Sequence, residues 1–256
     1  MDLLIGTLVL RPYVFGFLLA FLLAGTRDLG AARTLLFAAW VGPVAWLAEF
    51  SSTRIGIPFG LYHYTGTTRG QELFLSDVPF MDCLSFTFLA YASFCLARAV
   101  LRGWPAPGWV IALVSGVLMM LLDVVIDPAA VRGDRWFLGR IFYYPDGGVY
   151  FGVPISNFMG WTIVGAVGVG GYLMLARWLS DRTRGHTLDF DHHGQRVWTG
   201  IALYYAVLAF NLVVTGWIGE WLLLGLGAAI HGVTGAVLLT LVMRPTVRLG
   251  LEKQRA

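Results

Sequence analysis

Long apolar stretches constrain this chain more than any other feature. Each is close to the roughly 20 residues that a helix needs to cross a hydrocarbon core about 30 Å thick. Hydrophobic residues make up 57% of the chain and charged residues 13%, so little sequence is left for a soluble domain. We therefore predict an all-α, polytopic transmembrane bundle of about seven helices, in a single integral membrane domain over residues 1–256. The predicted spans are 3–25, which Arg11-Pro12 interrupts, and 34–50, 79–101, 109–127, 154–179, 197–215 and 220–243.

Basic residues are distributed unevenly between the predicted loops. With the N-terminus outside, the inside segments hold twelve of the 18 Lys and Arg residues and the outside segments hold six. The positive-inside rule then places the C-terminus in the cytoplasm, as expected for a multi-pass protein of the inner (cytoplasmic) membrane. The sequence pI near 9.0 follows from this orientation. We expect a lipid membrane around the chain and no nucleic-acid partner.

Three carboxylates lie near the ends of predicted spans, where packing alone has little use for them. They are Glu49, Asp123 and Asp127. A charge costs about 2.5–3.5 kcal/mol at the centre of a membrane helix, and acids inside membranes are usually functional. Asp123 and Asp127 are four residues apart and share a helix face, and Asp127-Pro128 is predicted to end that helix. The alternative is that these acids are polar residues of the membrane interface.

Further polar residues are predicted at the same outer ends of the helices. Asp82 begins the third span and Asn157 the fifth, although an acid in a first helical turn can also be a simple cap. The arrangement forms a weak internal repeat, because an acid precedes a Val-Pro pair and its helix start by similar distances in both halves. Glu49 lies 30 residues before Pro79, and Asp123 lies 31 before Pro154. Two helix hairpins of similar design are therefore predicted to face one pocket.

Aromatic residues are dense beside these acids. Aromatic faces stabilise cations, but tyrosine and tryptophan also form interfacial belts, and the sequence leaves both interpretations open. His231 lies about three helical turns beyond Glu220 and shares its face, so it is either a core histidine or a member of the site. The candidate binding and positioning residues are Asp82, Asn157, Tyr62, Tyr64, Phe151, Trp161 and His231.

Several patterns are absent from the sequence. Lys253 is the sole lysine and lies in the tail, which excludes a retinal protein with a membrane-embedded Schiff base. The sequence has no Gly-rich nucleotide loop, no nucleophile elbow and no His-rich membrane metal motif. His186, His192 and His193 have no recognised ligand spacing. We therefore expect acid chemistry on a hydrophobic substrate, with no metal and no cofactor.

Three segments resemble the signatures of the membrane carotenoid-biosynthesis family. They are EFSSTRIGIPFGLYHY at 49–64, LDVVIDP at 122–128 and YFGVPISNFMGW at 150–161. The resemblance covers about residues 40–165, and the rest of the chain matches by hydropathy. It implies the activity of the carotenoid 1,2-hydratases, which add water across the terminal C1–C2 double bond of an acyclic carotenoid to give a tertiary alcohol. The substrate would be a hydrophobic isoprenoid taken from the bilayer.

That reaction suits the acids found in the sequence. An unactivated alkene must first be protonated, which requires a carboxylic acid that stays neutral, and burial favours the neutral form. We expect Asp123 or Asp127 to donate the proton and Glu49 to stabilise the carbocation or direct the water. Asn157 and Tyr62 are expected to position the reactants.

Other functions remain open from the sequence. A carotenoid end-group cyclase shares the protonation step but quenches the cation with an internal alkene. A membrane prenyltransferase would need a second aspartate-rich motif beside the Asp123–Asp127 pair. A non-catalytic carotenoid or lipid carrier, or an assembly factor, would use the acids for packing or proton coupling. Other enzymes of the same pathway are possible partners.

Overall fold

The computed structural model describes residues 2–182 and 197–243, and the described chain is a bundle of α-helices. Six helices are long and apolar enough to cross a membrane, and a bent pair at the N-terminus would make a seventh span. This confirms the predicted all-α polytopic bundle. The helices are α1 Leu3–Leu10, α2 Pro12–Asp28, α3 Ala31–Ile55, α4 Phe80–Val100, α5 Gly108–Ala130, α6 Ile155–Arg182, α7 Val197–Trp217 and α8 Trp221–Val242.

The first predicted span is broken rather than continuous. Helices α1 and α2 meet at an angle of 93°, at the Arg11-Pro12 interruption of the span predicted over 3–25. Pro12 takes the first position of α2, where its missing N–H costs nothing. Arg11 stands at the corner with its side chain buried in the protein, only 1% exposed. The break therefore turns a cation inward and away from lipid.

The fifth helix runs further than expected. We predicted that Asp127-Pro128 ends it, but α5 continues to Ala130 with Pro128 inside its last turn. So close to the end of a helix, proline removes little of the backbone hydrogen bonding. The N–H of Val131 still bonds to the carbonyl of Asp127 at 2.9 Å.

Two long connections cover one end of the bundle. We call residues 56–79 the first cap and residues 131–154 the second cap. A short antiparallel pair joins them, with His63 opposite Tyr143 and Tyr64 opposite Phe142. The strands are β1 His63–Tyr64, β2 Phe74–Leu75, β3 Val78–Pro79 and β4 Phe142–Tyr143, and β2 pairs with β3 within the first cap. The two caps therefore form one roof.

The caps connect two helix hairpins, α3–α4 and α5–α6. In each hairpin the second helix begins immediately after a Val-Pro pair, as predicted for Pro79 and Pro154. Helix α4 is the central element, because 78% of its most apolar segment is buried inside the protein. Helix α8 is peripheral, with 17% of the corresponding segment buried. Helices α5 and α6 pack closely at Gly116, where an added Cβ would lie 2.2 Å from the carbonyl oxygen of Thr162.

Candidate active site

A cavity of about 120 Å³ lies beneath the roof, between the helix ends that carry the acids. Its polar wall comes from α3, α4, α5, α6 and α7. The rest of the wall is mainly aromatic, and includes Phe59 and Tyr62 of the first cap and Phe142 and Tyr144 of the second. The polar lining residues include Glu49, Tyr64, Asp82, Ser85, Asp127, Asn157 and Asn211.

Tyr64 joins two of the acids. Its hydroxyl lies 2.8 Å from Oε2 of Glu49 and 2.7 Å from Oδ2 of Asp82. A phenol has one proton to donate, so it can donate to one carboxyl and must accept from the other. Burial, followed by the charges of Asp82 and Glu49, raises the pKa of Tyr64 well above its usual value, so the phenol keeps its proton. One of the two carboxyls therefore carries a proton as well.

The second pair of acids is arranged differently. The side-chain amide of Asn157 donates to Oδ2 of Asp123 at 2.6 Å and to Oδ2 of Asp127 at 2.7 Å. The indole N–H of Trp161 also donates to Oδ2 of Asp127, at 3.3 Å. Hydrogen bonds from N–H donors stabilise an ionised carboxylate. Asp127 lines the cavity, whereas Asp123 is fully buried behind it and is not part of the wall.

Most of the residues singled out in the sequence meet at this cavity, with two exceptions besides Asp123. Phe151 lies in the second cap against Tyr150, with ring centroids 4.9 Å apart, and does not line the cavity. His231 is buried in α8 but is not a wall residue either. Glu220, which was predicted to share its face, forms ion pairs with Arg132 and Arg135 of the second cap.

One polar group of the wall has no partner. The hydroxyl of Tyr62 is buried and finds no hydrogen-bond partner within 2–182 and 197–243. Its ring packs against Tyr64 at 5.5 Å, Tyr144 at 5.6 Å and Phe142 at 5.8 Å. An unsatisfied buried hydroxyl costs about 1–3 kcal/mol. Because Tyr62 lines the cavity, its hydroxyl can bond to a polar molecule bound there.

A buried ion pair behind the cavity was not anticipated from the sequence. Nη2 of Arg11 donates to Oε1 of Glu72 at 2.9 Å and Nε to Oε2 at 3.2 Å, while Nη1 donates to the carbonyl of Leu138 at 2.6 Å. These contacts attach the corner between α1 and α2 to both caps. The signal in the sequence is Arg11 itself, because an arginine inside an apolar run needs an acidic partner.

Histidine, cysteine and acidic side chains are the usual protein ligands of a metal ion. In residues 2–179 and 197–243, no group of three or more His, Cys, Asp or Glu side chains could hold a metal ion. The histidines at 186, 192 and 193 lie outside the residues that the structure describes. Cys83 and Cys95 are free, buried thiols.

The chain matches a known protein family and one of its named relatives. The model of a family described as "Carotenoid biosynthesis protein" matches residues 3–234. Over 121 residues the chain is 34% identical to the bisanhydrobacterioruberin hydratase of Haloarcula japonica. That match covers 47% of this chain and 38% of the relative, so the chain corresponds to well under half of the relative's length. No solved structure matches the chain.

Proposed function

This chain belongs to the carotenoid biosynthesis protein family, and we propose that it is a cofactor-independent carotenoid 1,2-hydratase. It would add water to the terminal C1–C2 double bond of an acyclic carotenoid taken from the bilayer. One observation carries the proposal: two carboxyls joined by the Tyr64 hydroxyl, and a third carboxyl that accepts N–H hydrogen bonds, line the same aromatic cavity. The hydratase named among its relatives supports the same reaction type.

The Glu49–Tyr64–Asp82 group supplies the acid. Of the two carboxyls that Tyr64 joins, we assign the shared proton to Glu49 and the negative charge to Asp82. Tyr64 then donates to Asp82 and accepts from Glu49. Transfer of the Glu49 proton to C2 of the alkene leaves a tertiary cation at C1. This reverses the roles expected from the sequence, which gave the proton to Asp123 or Asp127.

Asp127 is the charge that faces the cation. Asn157 and Trp161 hold it as a carboxylate, and a fixed charge at the point where positive charge develops lowers the barrier. Phe86 stacks on Trp161 with centroids 4.6 Å apart, and such ring faces also stabilise cations. Water then attacks C1 and loses a proton to Asp127, and return of that proton to Glu49 completes the cycle. Asp123 supports Asp127 from behind through Asn157.

Hydration must compete with cyclisation, in which an internal alkene attacks the same cation. The unpaired hydroxyl of Tyr62 in the cavity wall favours hydration, because it offers a hydrogen bond to the attacking water. A cyclase has no use for a polar group at that place. We therefore assign Tyr62 to the water and prefer the hydratase to the cyclase.

Pigment mass in a bacterial host that accumulates lycopene tests the proposal directly. Expression of this chain should give a product heavier by one water with an unaltered chromophore, and an empty vector should not. An isomer of unchanged mass would replace the hydratase with a cyclase. Unchanged pigment from correctly inserted protein, with lycopene and with other acyclic carotenoids supplied, would favour a carrier or assembly role.

A further inference from the structure

The geometry points to a side entrance for the substrate. We propose that only the end group of the carotenoid enters the cavity, and that its polyene chain lies between α2 and α7, against Tyr13, Phe17 and Phe210. We call these three residues the aromatic seam. The identity of the ligand rests on the proposed function, whereas the position of the entrance rests on packing.

The size of the cavity requires such an exit. At about 10–15 Å³ for each water-sized position, a cavity of about 120 Å³ has room for an end group of about ten heavy atoms. A carotenoid chain is several times longer. The remainder of the molecule must therefore leave the cavity through a wall, and for an apolar chain the favourable direction is toward lipid.

The roof does not offer that exit. Its lining residues Leu138, Ile141, Phe142 and Tyr144 are all at most 9% exposed. The two caps are also fastened to each other by β1 and β4 and to the α1–α2 corner by Arg11. An opening through the roof would break these hydrogen bonds and lead into water.

The α2–α7 side is built differently. Tyr13, Phe17 and Phe210 line the cavity and are half-buried. Phe210 stacks on Tyr13 with centroids 5.2 Å apart and meets Phe17 edge-on at 5.7 Å. Gly16 lies between the two α2 rings in sequence and is exposed, with no atom within 4 Å of the place where a Cβ would stand. The seam therefore consists of rings that can rotate, beside open space.

A hydrogen bond holds α7 against the neighbouring helix α5. The buried hydroxyl of Tyr204 donates to the carbonyl of Leu118 in α5 at 2.8 Å. Separating α7 from α5 would leave this pair unsatisfied, at about 1–3 kcal/mol for each group. Displacing Phe210 from Tyr13 and Phe17 exchanges ring contacts for contacts with a polyene. The polyene therefore enters at the α2–α7 side.

Photocrosslinking tests the entrance without requiring turnover. Benzoylphenylalanine replaces Phe17 or Phe210 in protein that also carries Glu49→Gln, in phosphatidylcholine vesicles containing radiolabelled lycopene. The matched controls carry the same group at Leu19 or Val213, which are 57% and 70% exposed on the same two helices. We expect labelling at 17 and 210 that excess unlabelled lycopene abolishes, and only weak, non-saturable labelling at 19 and 213. Absent labelling at the seam, or equal labelling at all four positions, overturns the entrance.

A blocking variant gives an independent test in the active protein. Gly16→Trp fills the open space beside the seam, and we expect it to raise the KM for lycopene at least several-fold with little change in kcat. Leu19→Trp places the same bulk on a different face of α2 and should leave both constants unchanged. An unaltered KM in Gly16→Trp contradicts the proposal. Saturable crosslinking at the seam, together with no hydrated product from protein that retains Glu49, would instead keep the entrance and reject the hydratase.

Discussion

At the scale of single residues, the chemistry of this cavity follows from counting protons. The Tyr64 hydroxyl contacts Glu49 and Asp82 with one proton to give, so one carboxyl must contribute a proton of its own. Asp127 faces the cavity with N–H donors instead. The two acidic groups thus differ in what they can do: the first can release a proton, and the second can hold negative charge beside a cation.

Glu49→Gln tests the assignment of the acid. An amide has no acidic proton, so we expect hydrated product to fall by about 10²–10⁴-fold, the range for loss of general acid catalysis. Chromatography of pigment per unit of membrane-inserted protein measures the effect. Near-normal activity of this variant would remove Glu49 from the mechanism.

Asp77→Asn is the matched control, because it neutralises another acid of the same hairpin. Asp77 pairs with Arg54 at 2.9 Å on the surface. Burial, the largest single effect, would raise the pKa of Asp77, but the hydrogen bonds to its carboxyl, that of Arg54 first among them, and the charge of Arg54 together lower it. The pair stabilises the fold above the usual carboxyl pKa and loses this effect as the pH falls through the lowered value. Exposed pairs contribute about 1 kcal/mol or less, so wild-type pigment is expected.

Tyr62→Phe tests what quenches the cation. Removing the hydroxyl deletes the hydrogen bond offered to water and leaves the ring packing intact. We expect less alcohol and a larger share of products that retain the mass of the substrate, from proton loss or cyclisation. Tyr144→Phe alters a neighbouring ring of the same wall and should have a smaller effect on the product ratio. An unchanged ratio in Tyr62→Phe would assign the water to another group.

The acids themselves could be predicted from the sequence, because charge inside an apolar run is conspicuous. The contacts that these acids make could not be predicted in this way. Tyr64 reaches acids 15 and 18 residues away only because the first cap folds back beneath the second. Asp123 and Asp127 looked equivalent by spacing, yet only Asp127 reaches the cavity. Helical periodicity predicts that two residues share a face of the helix. It does not predict which of the two is covered by the neighbouring helix.

At the scale of helices, the weak repeat in the sequence has a structural counterpart. In the first hairpin Glu49 is joined to Asp82 through Tyr64, and in the second Asp123 is joined directly to Asn157. Both links run from the end of one helix to the beginning of the next. Asp127 lies four residues after Asp123, where the first hairpin has Thr53 four residues after Glu49. Asp127, which has no acidic counterpart in the first hairpin, is thus the acid proposed to stabilise the cation.

Gly116→Ala tests whether close packing of α5 on α6 positions these groups. The added methyl would meet backbone atoms, Thr162 O at 2.2 Å and Ala166 N at 2.9 Å, so the helices must separate. Overpacking of this kind costs about 1–3 kcal/mol. We expect a lower Tm and less hydrated product, because Asn157 on α6 would move relative to Asp127 on α5.

Gly225→Ala is the control for that experiment. No atom lies within 4 Å of the Cβ position at Gly225 on α8, and alanine favours a helix over glycine by about 1 kcal/mol. Thermal unfolding in detergent should therefore show an unchanged or slightly higher Tm, with normal activity. Equal behaviour of the two variants would show that α5–α6 contact does not limit the site.

At the scale of the whole molecule, hydropathy was sufficient to predict the class of fold, because six long apolar helices have few alternatives in a membrane. It could not give the 93° corner at Arg11. That corner depends on Glu72 and Leu138, which belong to two separate caps and meet only in the folded bundle. Breaking one partner of such a buried pair typically costs about 3–5 kcal/mol, so the corner and the roof stabilise each other.

Orientation in the membrane remains a prediction, and it decides from which side water reaches the caps. Twelve basic residues on one side against six on the other place the caps outside and the α4–α5 connection in the cytoplasm. Val149 of the second cap is 85% exposed and Trp104 of the α4–α5 connection is 64% exposed, so each can be replaced by cysteine. The two native cysteines of the chain are buried and should not react.

A membrane-impermeant maleimide applied to intact spheroplasts should therefore label Val149→Cys and leave Trp104→Cys unlabelled until the membrane is permeabilised. Labelling of Trp104→Cys alone would mean that the molecule has the opposite orientation, with the acid cavity near the cytoplasmic leaflet. In the predicted orientation the acids lie near the outer leaflet, in the same cavity wall as the aromatic seam. A carotenoid that spans the bilayer could then place one end group at Glu49 while the rest of its chain stays in lipid.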